Sequence, residues 1–152
     1  MFKKILVPLD GSDLAERVFP YVLDIAKTRS SMVEIAFIVE HYDMPFHGGV
    51  VVDENSLKEI EQSARKGAEH YVKKIQKRLY SRGINVEAVV LEGKIADTLV
   101  DYAGNNGFDL IIMATHGRSG LARWVVGSVA DRILHYSNVP VLLIRSLGPA
   151  VE

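Results

Sequence analysis

The chain has 152 residues, 48% of them hydrophobic, which suits one folded domain with a sizeable core. A formal net charge of -1 argues against a nucleic-acid surface built on bulk positive charge, and the lack of cysteine excludes disulfides, zinc–thiolate sites and thiol catalysis. No signal peptide is visible, and no apolar run approaches the roughly 20 residues that span a bilayer. We therefore expect a cytoplasmic protein that contacts neither membrane nor nucleic acid.

Short apolar runs alternate with segments of helical spacing. The runs predict strands at residues 5–9, 33–39, 84–91, 110–114 and 138–144. Helices are predicted at residues 13–26, 56–79, 95–104 and 127–136, with a loop at 41–52. This alternation predicts a single doubly wound α/β domain, residues 1–152, with helices on both faces of a five-stranded parallel sheet.

Two capping boxes are predicted to start the first two helices. Asp13 followed by Glu16 forms one, and Ser56 followed by Glu59 forms the other. In each, the first side chain would accept a hydrogen bond from an amide of the helical first turn. The first two helices are therefore predicted to begin near these residues.

The fourth strand, the small residues after it and the last helix form a candidate phosphate site. Gly127 and Ser128 open that helix, whose free amides and dipole favour an anion. Gly117 and Gly127 carry no Cβ, so a ligand can approach the backbone closely. The Ser128 hydroxyl can donate to a phosphate oxygen. The alternative is that the glycines only turn the chain.

Two polar residues follow strands at the edge where such sheets bind ligands. Asp10 could accept a hydrogen bond from a ribose hydroxyl or help hold a metal near phosphates, or it could bond its own backbone in an Asx turn. His116 could be a general base or a phosphate contact. No carboxylate or serine stands at an obvious triad spacing from His116, so a packing or backbone role is favoured.

The remaining candidates are weaker. His41, Asp43 and His47 are metal ligands by type, but they share one loop, so solvation is favoured and no metal site is predicted. Arg118 and Arg123 could neutralise phosphate or simply be solvated. The chain has no Walker loop, no dinucleotide fingerprint after its first strand and no nucleophile elbow.

Four stretches together resemble the universal stress protein family from end to end. They are ILVPLDGS at residues 5–12, MATHGRSG at 113–120, GSVA at 127–130 and NVPVLLI at 138–144. The ATP-binding branch of that family carries Gly-x2-Gly-x9-Gly-Ser/Thr. Here Gly117, Gly127 and Ser128 match that pattern, and Ala114 stands in place of the first glycine.

The resemblance implies the strand order 3-2-1-4-5, bound ATP with Mg or Mn held mainly by the phosphates, and a homodimer through the strand at 139–145. It places Asp10 by the ribose and phosphates and Val39 by the adenine. It implies no catalytic residue and the following nucleotide contacts: Pro8, Leu9, Asp10, Val39, Met113, Ala114, His116, Gly117, Arg118, Gly120, Gly127, Ser128 and Val129.

The function implied is that of an ATP-binding stress sensor or regulator with slow or no hydrolysis and an unidentified protein partner. Two alternatives stay open. One is a slow ATPase in which His116 or Asp10 orients water. The other is a dimeric protein-interaction module that binds no ATP, which Ala114 favours and the spacing from Gly117 to Ser128 disfavours.

Overall fold

A computed structural model describes residues 1–41, 53–115 and 126–145 of the chain. None of the helices in these ranges is both long and apolar enough to cross a bilayer. The elements in chain order are β1 Lys4–Leu9, α1 Asp13–Glu16, α2 Phe19–Arg29, β2 Met32–Val39, α3 Glu54–Tyr80, β3 Asn85–Glu92, α4 Ile95–Asn105, β4 Leu110–Ala114, α5 Ser128–Tyr136 and β5 Val141–Ile144.

The strands form one parallel sheet in the order β3-β2-β1-β4-β5, so the predicted fold and strand order are confirmed. The chain runs outward from β1 to β3, crosses back to β4, and then continues to β5. The direction of winding therefore reverses between β1 and β4. In an open α/β sheet, such a reversal leaves a crevice at the carboxyl ends of the two strands.

Each face of the sheet carries its own core. The odd residues of β1, such as Ile5 and Val7, pack with α1, α2 and α3. Leu6, on the other face, packs with α4 and α5. Side chains of successive strand residues point to opposite faces, so these near-continuous apolar strands fill both layers. The sheet thus separates the two groups of helices everywhere except at its edges.

Proline interrupts the hydrogen bonds between the two central strands. The Lys4 carbonyl accepts a hydrogen bond from the Asp109 amide, so the even residues of β1 direct their backbone groups toward β4. Leu6 continues this ladder, but the next residue in the series, Pro8, has no N–H to donate. β1 and β4 share two register pairs, whereas β1 and β2 share six. The ladder therefore stops short of the carboxyl ends, where the crevice opens.

The first helical region differs from the prediction in two ways. Its N-cap is Ser12, not Asp13, because the Ser12 hydroxyl accepts a hydrogen bond from the Ala15 amide at 3.1 Å. The predicted single helix is also two helices, α1 and α2. Pro20 explains the break, since its ring would clash with the carbonyl four residues earlier in a continuous helix but fits the first turn of a new one.

The third helix also begins earlier than predicted. Asp53 is the N-cap, with one carboxylate oxygen accepting from the amides of Asn55 and Ser56, each at 2.9 Å. The predicted capping box of Ser56 and Glu59 is therefore wrong, since a carboxylate three residues upstream already satisfies those amides. The last strand is shorter than predicted and begins at Val141, after Pro140.

A buried carboxylate ties the amino end of the sheet to α4. Glu34 on β2 is 5% exposed and accepts a hydrogen bond from the Tyr102 hydroxyl. The Lys4 ammonium lies 3.7 Å from Glu34 and 4.3 Å from the centre of the Phe108 ring. Burial, followed by the hydrogen bond and charge of Glu34, raises the pKa of Tyr102 to about 12. The Tyr102 phenol is therefore neutral at neutral pH and remains a donor to Glu34.

This raised pKa predicts a loss of stability in alkali. An unfolded tyrosine has a pKa of about 10, so the contribution of Tyr102 is complete below about pH 10 and disappears as the pH rises toward about 12. Urea unfolding midpoints should fall as the pH rises from about 10 to about 12. Tyr102→Phe should show a shallower fall over the same interval. Equal slopes in the two proteins would contradict this assignment.

Candidate functional site

A cleft of about 620 Å³ opens at the carboxyl edge of the sheet, where β1 and β4 part. Its walls come from the ends of three strands and from helices on both faces. Every predicted nucleotide contact within the described ranges lines it: Pro8, Leu9, Asp10, Val39, Met113, Ala114, Gly127, Ser128 and Val129. Residues from separate parts of the sequence therefore meet in one cavity, although their contact with a nucleotide stays a prediction.

The amino end of α5 faces this cleft without a capping side chain. Gly127 is the N-cap, whereas α1 and α3 are capped by Ser12 and Asp53. The Thr115 carbonyl accepts a hydrogen bond from the Gly127 amide at 2.9 Å, which holds the start of α5 beside the end of β4. The N-cap itself therefore offers no side chain to the amides that follow Gly127, and amides at a helix start suit an anion.

Asp10 lies in the cleft at the end of β1 and also forms the Asx turn considered above. One oxygen of its carboxylate accepts from the Ser12 amide at 2.9 Å and the Ser12 hydroxyl at 2.6 Å. These bonds hold the carboxylate in place beside the cavity. The turn and a ligand contact are therefore compatible roles, because a carboxylate has more than two acceptor sites.

The other candidates fall on residues outside the described ranges or outside the cleft. His116, Gly117, Arg118, Gly120 and Arg123 lie outside the described ranges, as do Asp43 and His47. His41 is described, and its two ring nitrogens lie 3.8 Å from Glu61 and 3.7 Å from Glu92. Within residues 1–41, 53–115 and 126–145, no group of three or more acidic or histidine side chains could hold a metal ion.

The prediction missed one whole wall of the cleft, which α3 provides. Ala64, Gly67, Ala68 and Tyr71 line the cavity from this helix, opposite Phe37 of β2. Their spacing of three and four residues places them on one helical face. In the sequence this face looks like an ordinary core stripe, so only the tertiary arrangement shows that part of it borders a cavity.

Tyr71 is held rigidly at the base of this wall. Its hydroxyl donates to Glu16 of α1 at 2.9 Å, and its ring meets Phe37 edge-on at 5.8 Å between ring centres. Arg78 donates to the other oxygen of Glu16 at 2.5 Å. Burial, followed by the hydrogen bond and charge of Glu16 and then the charge of Asp10, raises the pKa of Tyr71. The phenol therefore stays neutral, and its hydroxyl is engaged.

Gly67 lies in the interior of a 27-residue helix, a position where glycine is unfavourable. A Cβ built at Gly67 would meet no heavy atom within 4 Å, so packing does not require its absence. We expect Gly67→Ala to raise the free energy of unfolding by about 1 kcal/mol, measured by urea denaturation. A destabilised variant would contradict this prediction.

The comparisons with known proteins agree with one another. The model of the universal stress protein family matches residues 1–145. Universal stress protein MJ0531 of Methanocaldococcus jannaschii is 32% identical over 145 residues, which are 95% of this chain and 83% of that relative. The solved structure of MJ0577 from the same organism has 27% identity and a TM-score of 0.83, over 95% of this chain and 96% of that one.

Two further proteins of this fold hold adenine nucleotides. A family protein from Arabidopsis thaliana with AMP bound has 16% identity and a TM-score of 0.68, over 94% of this chain and 91% of that one. A universal stress protein in complex with cAMP has 20% identity and a TM-score of 0.70, over 95% of this chain and 98% of that one. At these identities the likeness concerns the fold alone. With the family model matching residues 1–145, the chain belongs to the universal stress protein family.

Proposed function

We infer that the cleft binds ATP, with Mg or Mn held mainly by the phosphates, and that the protein is a sensor or regulator with slow or no hydrolysis. The observation that carries this proposal is the convergence of all the predicted nucleotide contacts within the described ranges on one cavity, beside a helix start whose N-cap is glycine. The AMP and cAMP complexes support it, because they show that this fold can accommodate an adenine nucleotide.

The proposed orientation follows from the chemistry of the walls. Adenine fits the apolar part lined by Pro8, Ile38 and Met113, next to Val39. The ribose hydroxyls face the Asp10 carboxylate, which is already positioned by Ser12. The phosphates lie at the amino end of α5, where amides and the helix dipole stabilise negative charge. His116, Gly117, Arg118 and Gly120 are proposed to complete the phosphate site.

Calorimetry with Mg-ATP on nucleotide-free protein tests the proposal. Asp10→Asn is the informative variant, because it removes the charge but keeps an oxygen that can accept from Ser12. We expect it to weaken ATP by about tenfold, since a hydrogen bond to a charged acceptor contributes about 1.5 kcal/mol or more. Asp13→Asn makes the same charge change at an exposed residue that does not line the cleft, and should leave the affinity unchanged.

Three nucleotides should be compared in the same experiment: ATP, AMP and cAMP. No heat and no thermal shift with any of them at millimolar concentration would overturn the proposal and favour the protein-interaction module. ATP-dependent phosphate release well above that of buffer, and lost in His116→Ala, would instead identify a slow ATPase. Tighter binding of AMP or cAMP than of ATP would contradict the choice of ATP.

The free edge of β5 is the proposed site of a homodimer. The Pro140 carbonyl accepts a hydrogen bond from Ile111 of β4, and the Ile144 carbonyl accepts one from Thr115 just after β4. The backbone groups of Val141 and Leu143 therefore point away from the sheet. Within the described residues no strand pairs with this edge. Pairing with a second copy around a two-fold axis would satisfy these groups in both chains.

Leu143→Pro is expected to convert the dimer to a monomer. Proline removes the outward N–H but leaves the bonds between β5 and β4 intact, since those belong to the even residues. Leu143→Val is the matched control, because it shortens the side chain and keeps the donor. Light scattering at micromolar concentration distinguishes the two masses. A monomeric wild-type protein, or a dimeric Leu143→Pro, would contradict this assembly.

A further inference from the structure

The cleft continues past the proposed nucleotide position onto the other face of the sheet. Asp10, at the carboxyl edge of the sheet, lies between two parts of the cleft. One part is on the face with α4 and α5, where adenine is proposed to bind, and the other is on the face covered by α3. We call the second part the α3 lobe. It is lined by Ala15, Phe37, Ala64, Gly67, Ala68 and Tyr71.

The α3 lobe is apolar in its side chains. Ala15, Phe37, Ala64 and Ala68 have no polar side-chain atoms, and the Tyr71 hydroxyl is already bonded to Glu16. The Phe37 and Tyr71 rings meet at an interplanar angle of 68°, so together they present both an edge and a face. Aromatic walls of this kind favour a flat, weakly polar group.

Gly67 is an exposed residue of α3 and leaves its part of the lobe wall without a side chain. Glycine is unfavourable in the interior of a helix. No neighbouring atom lies close enough to prevent a side chain at residue 67. A departure from local preference that packing does not explain points to function. A side chain on this wall would instead occupy the lobe.

Asp10 connects the lobe to the nucleotide. It lines the same cavity, and its charge contributes to the electrostatic environment of Tyr71 at the base of the lobe. We propose that the α3 lobe holds a flat, largely apolar group carried on a ribose oxygen of the bound nucleotide. This inference rests on the proposed function, because it requires the ribose to lie beside Asp10.

The probe is ATP carrying an N-methylanthraniloyl group on its 2′ or 3′ ribose oxygen, compared with ATP itself. The fluorescence of this group rises in an apolar environment. If the ring enters the lobe, the derivative should bind about tenfold more tightly than ATP, with enhanced fluorescence that ATP competes away. Equal or weaker binding of the derivative, or unchanged fluorescence, would overturn the inference.

Gly67→Leu fills the lobe and should reduce the ratio of the two affinities to about one. Ser63→Leu adds a side chain at an exposed position of the same helix that does not line the cleft, and should preserve the ratio. Ala64→Leu, on the same wall as Gly67, is the second variant if Gly67→Leu does not fold. If none of the lobe variants changes this ratio of affinities, the ring binds elsewhere and the inference fails.

The linear dinucleotide pApA distinguishes two sources of the flat group. If pApA binds more tightly than AMP and the anthraniloyl derivative binds more tightly than ATP, the lobe accepts a second nucleobase. If only the derivative binds more tightly than its unmodified nucleotide, the lobe accepts a smaller aryl or acyl group. If ATP binds but neither compound binds more tightly than its unmodified nucleotide, the inference fails while the proposed function stands. If no nucleotide binds, both fail.

Discussion

Gly127→Asp is expected to lower the affinity for ATP by about a hundredfold or more while making the folded protein more stable. Gly127 is the N-cap of α5 and itself offers no side chain to the following amides. An aspartate there would take these amides for itself and place a negative charge where the phosphates should lie. Loss of two charge-assisted hydrogen bonds, at about 1.5 kcal/mol each, gives about a hundredfold.

The stability effect has the opposite sign for the same reason. Aspartate is a better N-cap than glycine by a few tenths of a kcal/mol, and its charge interacts favourably with the helix dipole by about 0.3–1 kcal/mol. The backbone at Gly127 has φ -59 and ψ 151, which other residues adopt without strain, so the substitution should not disturb the turn.

Calorimetry for ATP and urea denaturation for stability measure the two effects separately. Gly127→Asn is the matched control, because asparagine caps the helix without a charge. We expect it to keep the gain in stability and to lose less affinity than Gly127→Asp. Unchanged ATP affinity in Gly127→Asp would show that phosphate does not bind at the amino end of α5.

Glu34→Ala should lower the free energy of unfolding by about 2 kcal/mol, because a hydrogen bond to a charged acceptor contributes about 1.5–3 kcal/mol and Lys4, which is 27% exposed, loses a partly screened counter-charge. Glu34 is almost fully buried and contacts both Tyr102 and Lys4. Without it, the Tyr102 hydroxyl loses its acceptor and Lys4 loses its counter-charge. The network lies at the amino end of the sheet, opposite the cleft, so ATP affinity should not change.

Glu34→Gln is the control for this prediction. It keeps the size of the side chain and an oxygen that can accept from Tyr102, and it removes only the charge. Its loss of stability should be roughly half that of Glu34→Ala, since one of the two interactions persists. A loss below about 0.5 kcal/mol in Glu34→Ala would show that the carboxylate contributes nothing beyond a surface pair.

Much of the fold could be predicted because its signals are local. Runs such as residues 110–114 are apolar and short, and they alternate with helical periods, which is enough to predict a parallel α/β sheet. Element ends were less predictable because several residues compete to cap the same amides. Ser12 and Asp53 are the N-caps of α1 and α3. Asp13 and Ser56, which follow them closely, are also residue types that can cap a helix.

The site likewise contains residues that the sequence could identify and residues that it could not. Asp10 and Gly127 could be identified because they follow or precede a predicted element at the edge where ligands bind. The α3 wall could not, because Ala64 and Gly67 form part of a regular helical pattern and their position over the cavity depends on contacts distant in sequence. Tyr71 likewise becomes recognisable only once Glu16 is seen beside it.

The short ladder beside Pro8 also has a mechanical consequence. It makes the line between β1 and β4 a seam: β1, β2 and β3 form one hydrogen-bonded half, and β4 and β5 form the other. A ligand in the cleft would contact both halves, so opening the seam would lose its binding free energy just as global unfolding does. Amide exchange at Leu6 and Ile112 should therefore slow on ligand binding before exchange in outer β3 responds.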